Sequence, residues 1–199
     1  MTAKDFFIYG SFCHDFVHFN KIQSLVQSHQ AAHVEGRCYR TPVGFPLVLE
    51  EGGDSIPGDL MSLNLSPVME AFLDECYGHN PMDPESSLTH KKLISVKLAN
   101  GGSVIATAYF LNPLKKTAQL SQIEGGNWRD YLLQNPPLPE RLNERQRTYV
   151  AKLGACAGRD IIPIDLVLYR ELMNLELIVD KGRRLALSKL GQEVYRHLS

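Results

Sequence analysis

Apolar and polar positions along the 199-residue chain fall into two differently built parts. Residues 5–10, Asp-Phe-Phe-Ile-Tyr-Gly, form an apolar, aromatic run stopped by glycine, the pattern of a buried strand. Residues 20–30 place Ile22, Leu25 and Val26 at helical spacing behind Asn20 as a cap, which predicts a helix. Residues 31–41 and 45–51 read as strands around a loop containing Pro42 and Gly44, and residues 52–63 as a turn followed by another strand. Ser66 as cap, Pro67 at the first helical position and Gly78 as the stop bound a helix. Residues 91–111 alternate apolar and polar around Ala-Asn-Gly-Gly and predict a hairpin turning at Asn100-Gly101. Residues 125–133 close this part with a short helix. The class implied is α+β, a largely antiparallel sheet or barrel with short helices.

The proline-rich stretch 134–140, Gln-Asn-Pro-Pro-Leu-Pro-Glu, marks a boundary between a domain over residues 1–135 and an extension over residues 140–199. In that extension Asn143 caps a helix that stops near Gly154 or Gly158, and a second helix begins at Pro163. Residues 178–188 suggest a small hairpin around Lys181-Gly182, and residues 188–199 a last helix. Two helices, a hairpin and a closing helix suggest a winged-helix-like unit, in which the hairpin touches phosphates.

Composition refines this division. A 44% hydrophobic content supplies a core for one domain and an appendage. The net charge of −1 argues against a general attraction to nucleic acid or membrane. That charge is unevenly spread: residues 1–139 hold 10 Lys or Arg against 14 Asp or Glu, and residues 140–199 hold 11 against 8. The basic extension therefore allows a nucleic-acid partner. Its apolar positions Leu166, Leu168, Tyr169, Leu172 and Leu175 equally allow a helical cap on the barrel or a dimer interface. Cys13, Cys38, Cys76 and Cys156 form no Cys-x-x-Cys pair, the chain opens without an apolar leader, and no run approaches the roughly 18 apolar residues of a membrane span. A cytoplasmic protein with reduced thiols is expected.

Three stretches carry candidate chemistry. Tyr9-Gly10-Ser11-Phe12 follows the first strand, where glycine lets the backbone turn sharply and aim N–H groups outward, a nest for a carboxylate. His14, Asp15 and His18 echo the His-Glu-x-x-His zinc pattern with Asp for Glu. They lie outside a strong helical pattern, so no metal or cofactor is expected there. Asp74, Glu75, Asp83 and Glu85 form an acidic cluster, which is ordinarily solvated; a general base also needs a shielded position.

Four segments occur in an order that resembles the γ-glutamylcyclotransferase-like family, over residues 5–133. Phe-Phe-Ile-Tyr-Gly-Ser-Phe resembles its first strand and Tyr-Gly-Ser/Thr-Leu loop, with Phe12 at the Leu position. Residues 34–63 resemble its Gly-x-Leu-Tyr to Pro-Gly-Glu-Leu-Tyr stretch, and residues 72–98 its Leu-Asp-Glu-x-Glu-Gly followed by a Tyr-x-Arg-Arg strand. Residues 123–132 resemble its Gly-Asp-Trp ending. The resemblance implies a mixed β-barrel with short helices. The reaction it implies is attack of a γ-glutamyl α-amino group on its own γ-carbonyl, giving 5-oxoproline and a free amine. It puts the substrate carboxylate on residues 9–12 and the catalytic glutamate at Tyr77. Thr89 stands near the place of the family's aromatic residue.

A phenol with a pKa of about 10 is almost wholly protonated at neutral pH and is a poor base. Glu75 is two residues away, about 200° around a helix. The expectation is a divergent member that keeps a pocket for a small amino- or carboxylate-bearing molecule, lined by Tyr77 and Ser11, without the usual reaction. The alternatives are an active cyclotransferase using Tyr77 or Glu85, and a regulatory protein whose basic extension binds nucleic acid or a protein partner.

Overall fold

The aromatic run near the start forms β1 (Lys4–Ile8). Phe6, Phe7 and Ile8 are all at most 1% exposed, as a continuous apolar run is when both faces of a strand are covered. The computed structural model describes residues 3–156 and 160–198. The helix expected over residues 20–30 is short: α1 covers Phe19–Ile22, and a 3-10 turn follows over Gln23–Leu25. Chain pairing overrides the helical spacing from Val26 onward. β2 (Val26–Arg40) begins there and runs antiparallel to β3 (Pro46–Leu63), with Ser28 opposite Ser62 and Gln30 opposite Leu60. The cap of α1 is His18 rather than Asn20, and it makes no side-chain capping bond.

The turn expected at Gly52 is a bulge inside one long strand. Arg37 pairs with Leu49 and its neighbour Gly36 with Asp54, so residues 50–53 are extra on β3. Pairing resumes on both sides, which is how a bulge bends a strand without ending it.

α2 (Pro67–Tyr77) has the bounds its sequence signals imply. The Ser66 hydroxyl accepts from Met69 N–H, and Gly78 closes the helix in the left-handed region at φ 69°. The hairpin is β4 (Thr89–Leu98) and β5 (Ser103–Leu111), turning through Asn100 and Gly101. β6 (Ser121–Ile123) and α3 (Trp128–Gln134) follow.

The strands are ordered β3-β1-β5-β4-β2-β6, and β2 also pairs with β3, so five of them close on themselves. β1 and β5 are parallel and the other pairs antiparallel. The result is a mixed barrel with short helices, an α+β fold. Its core includes Phe6, Ile8, Val34, Ile56, Met61 and Trp128.

The chain divides into two compact units. One holds the residues up to Thr41 together with Phe45–Gln134. The other holds Pro42–Gly44 and the residues from Asn135. In the second unit α4 (Leu138–Arg141) is tied to the 42–44 segment by a 2.7 Å bond from Leu138 N–H to the Val43 carbonyl. α5 (Glu144–Ala155) starts with a reciprocal capping box between Asn143 and Gln146 and ends at Cys156; Gly158, the other proposed stop, lies outside the described residues. α6 (Leu166–Asn174) starts after Asp165 rather than at Pro163, because the Asp165 carboxylate accepts from the N–H groups of Val167 and Leu168. β7 (Ile178–Asp180) and β8 (Leu185–Leu187) make the hairpin, and α7 (Lys189–Leu198) closes the unit. Leu168 and Leu172 are buried with Tyr149, Val150, Leu177 and Val194. Part of the apolar surface of α6 is therefore consumed by the unit's own core. Among the described residues no helix is long and apolar enough to cross a membrane.

Candidate functional site

β1, α2 and β5 bring three tyrosines together. Tyr9 directly follows β1, Tyr77 is the last residue of α2, and Tyr109 lies on β5. The Tyr77 ring is stacked on Tyr109 at 4.4 Å between centroids and 4° between planes. It meets the Tyr9 ring edge-on at 5.6 Å and the Phe12 ring at 6.0 Å. Such ring pairs add to the stabilisation from burying the rings.

The hydroxyls are all engaged. Tyr77 O–H donates to the Tyr9 carbonyl at 2.8 Å. Tyr9 O–H donates to the Tyr109 carbonyl at 2.8 Å, and Tyr109 O–H donates to Asp74 Oδ1 at 2.6 Å. Burial raises the pKa of all three phenols far above the ordinary value; for Tyr109, donation to the Asp74 carboxylate adds to that.

The turn after β1 begins at Gly10, whose φ of 79° is a conformation L side chains rarely adopt. A Cβ there would stand 3.1 Å from Pro46 Cγ. Gly10, Ser11 and Phe12 make a buried 3-10 turn. Ser11 Oγ is 3.0 Å from His18 Nδ1, and the His18 ring packs against Phe12 and Phe45. Beyond the turn, Asp59 on β3 accepts from His14 N–H at 2.8 Å and pairs with Arg129 at 2.9 Å.

The acidic cluster separates. Asp74 is buried and shares Lys91 with Glu70, at 3.0 and 2.7 Å. Glu75, Asp83 and Glu85 are exposed. The Asp83 carboxylate accepts from Ser86, and Glu85 contributes its backbone carbonyl to Asn112. Thr89 Oγ1 donates to the Tyr77 carbonyl at 2.8 Å, so this residue fastens the end of α2 to β4. His14 stacks on His29 at 4.4 Å and lies 2.9 Å from Asp15. His18, by contrast, is buried. Among the described residues no group of three or more His, Cys, Asp and Glu is arranged to hold a metal ion.

The structure thus gathers Tyr9, Gly10, Phe12 and Tyr77, and leaves Glu85 at the surface. Tyr109 and Lys91 are members that sequence reading missed, and His18, which it weighed only as a metal ligand, stands beside Ser11 instead. Strand alternation announces that Tyr109 faces a core; it does not say which helix end the ring will meet. A separate open cleft of about 750 Å³ lies in the second unit, bordered by Arg145, Thr148, Lys152, Pro163 and Leu168.

A family model described as gamma-glutamyl cyclotransferase, AIG2-like, matches residues 6–130, more than half of the chain. No curated protein matches. Among solved structures, YkqA from Bacillus subtilis is 18% identical, with a TM-score of 0.48 over 67% of this chain and 42% of its own. This chain therefore spans less than half of YkqA. At5g39720.1 from Arabidopsis thaliana is 15% identical, with a TM-score of 0.47 over 68% and 86%. An AIG2-like protein from Mus musculus is 16% identical, with a TM-score of 0.39 over 60% and 82%.

Proposed function

This chain belongs to the gamma-glutamyl cyclotransferase, AIG2-like family, and on that premise we propose that it is a member without the cyclising step. The observation that carries this is the 2.8 Å bond from the Tyr77 hydroxyl to the Tyr9 carbonyl. A cyclotransferase base must take a proton from the attacking ammonium group. At the position that the resemblance assigns to that base, this chain has a phenol whose own proton is committed to the backbone and whose pKa burial raises. A tyrosine also lacks a carboxylate to pair with the ammonium. Neither alternative base is favoured, because Glu85 is exposed and Glu75 sits on the solvent side of α2.

On this reading the turn at residues 9–12 is the anion-binding loop, and its ligand is a small carboxylate- or amino-bearing molecule. Such a ligand has to take its place among Tyr9, Phe12, Tyr77 and Tyr109, which pack on one another. The experiment compares the wild type with Tyr77→Phe, each mixed with γ-glutamyl amines and assayed for 5-oxoproline. Neither variant releases it if the step is lost. Release by the wild type overturns the proposal, whether or not Tyr77→Phe retains it. Calorimetry with the same amines and with 5-oxoproline reports whether a ligand still binds.

A further inference from the structure

We propose that the second unit docks on duplex DNA, with the exposed face of α6 against base edges in the major groove and the β7–β8 hairpin tip on the phosphate backbone. The face of α6 turned away from its core carries Leu166, Val167, Arg170 and Asn174, all exposed. Their spacing of one, four and eight residues puts them on one side of the helix, while Leu168 and Leu172 turn inward. These residue types match what the major groove displays. Arginine forks onto guanine O6 and N7, asparagine onto adenine N6 and N7, and apolar side chains meet the thymine methyl. A nine-residue helix is about 14 Å long, and the groove that admits it is about 12 Å wide.

The hairpin tip supplies the complementary charge. Lys181, Arg183 and Arg184 are exposed. The tip is held in shape by Lys181 N–H donating to the Arg184 carbonyl at 2.9 Å and Gly182 N–H donating to Asp180 Oδ1 at 2.7 Å. Three nearby acids are engaged within the unit: Asp165 caps α6 and pairs with Arg145, Glu171 accepts from Gln146 at 3.0 Å, and Asp180 holds the tip. Glu176, in the turn between α6 and β7, is exposed, and Asp160 is exposed and borders a cleft with Arg183 and Arg184, so these two carboxylates reduce the excess positive charge of the three tip cations without cancelling it. The exposed surface is thus positive at the hairpin tip and apolar with Arg170 and Asn174 on α6. That is the charge complement of a polyanion whose grooves present apolar methyls and hydrogen-bonding edges. A protein partner would use the apolar residues and leave the basic tip without a counterpart.

The test titrates the full chain into labelled mixed-sequence duplex DNA and follows anisotropy as salt is raised from about 50 mM. Binding is expected at low salt and is expected to weaken linearly on a log–log scale. The triple change Lys181→Ala, Arg183→Ala, Arg184→Ala is expected to lower that slope by about 2 to 3, since each phosphate contact contributes about 0.9. These side chains are exposed, so folding is preserved, and circular dichroism checks it. Arg170→Ala is expected to weaken binding to duplexes selected by the wild-type chain from a random-sequence pool more than to the unselected pool. No binding at low salt overturns the proposal, as does a slope unchanged by the triple variant. Single-stranded DNA or RNA bound as tightly as duplex, or loss of apolar α6 residues affecting only self-association, overturns it too.

Discussion

The hydroxyl of Tyr77 donates a 2.8 Å hydrogen bond to the backbone carbonyl of Tyr9, joining the end of α2 to the start of the turn that follows β1. The family resemblance assigns these two places to a proton acceptor and a carboxylate-binding loop. Here the first is a donor, and the loop's own carbonyl is what it serves.

Tyr77→Phe removes that donor while keeping the ring stacked on Tyr109. The expected loss is about 1 kcal/mol, the usual net worth of one buried hydrogen bond. Urea unfolding should show a lower midpoint with an unchanged slope, because the surface exposed on unfolding does not change.

Alkaline stability should follow the three buried phenols. Tyr9, Tyr77 and Tyr109 have folded pKa values raised above the unfolded value of about 10. The folded state therefore retains protons that the unfolded chain releases. Their contribution is fully present below pH of about 10 and is lost as pH rises above it. In an alkaline titration their phenolate absorbance should appear together with loss of ellipticity.

Glu70 sets part of the acid limb. Hydrogen bonds from Lys4 and then Lys91 hold its pKa below the ordinary value. A depressed carboxylate contributes stability above its unfolded pKa, about 4.3, and loses it as pH falls through the folded value. Glu70→Gln should flatten the stability–pH curve below about pH 4.5. The Lys4 contact is half exposed and contributes the smaller share in high salt.

Gly10→Ala should destabilise the barrel unit by about 1–2 kcal/mol, the usual penalty for an L side chain in the left-handed region. The added Cβ would also press on Pro46, 3.1 Å away. Thermal unfolding of the variant beside the wild type reads this as a lower transition temperature.

Local signals carried much of the fold. Ser66, Pro67 and Gly78 delimit α2 because a capping hydroxyl, a ring-fixed φ and a left-handed glycine act within one turn of the chain. Asn100-Gly101 marks the hairpin for the same reason. Residues 26–30 were misleading because their helical spacing competes with pairing of a fifteen-residue strand to β3, a long-range term invisible in a window. Gly52 announced a break in direction, and pairing on both sides converted it into a bulge. At the site, Tyr77 was legible because Leu73-Asp74-Glu75 and Gly78 fix its register. Its partner Tyr109 was not, because alternation along β5 gives a side chain's face and never its contact across the barrel.

The most direct measurement is a single-turnover experiment, with the wild-type chain in excess over a labelled γ-glutamyl amine. Even a slow residual cyclisation is then captured. With Tyr77 holding its proton on the Tyr9 carbonyl, no labelled 5-oxoproline should accumulate above the rate without protein. Accumulation that the wild type supports and Tyr77→Phe abolishes would contradict the assignment of this chain as a member that has lost its base.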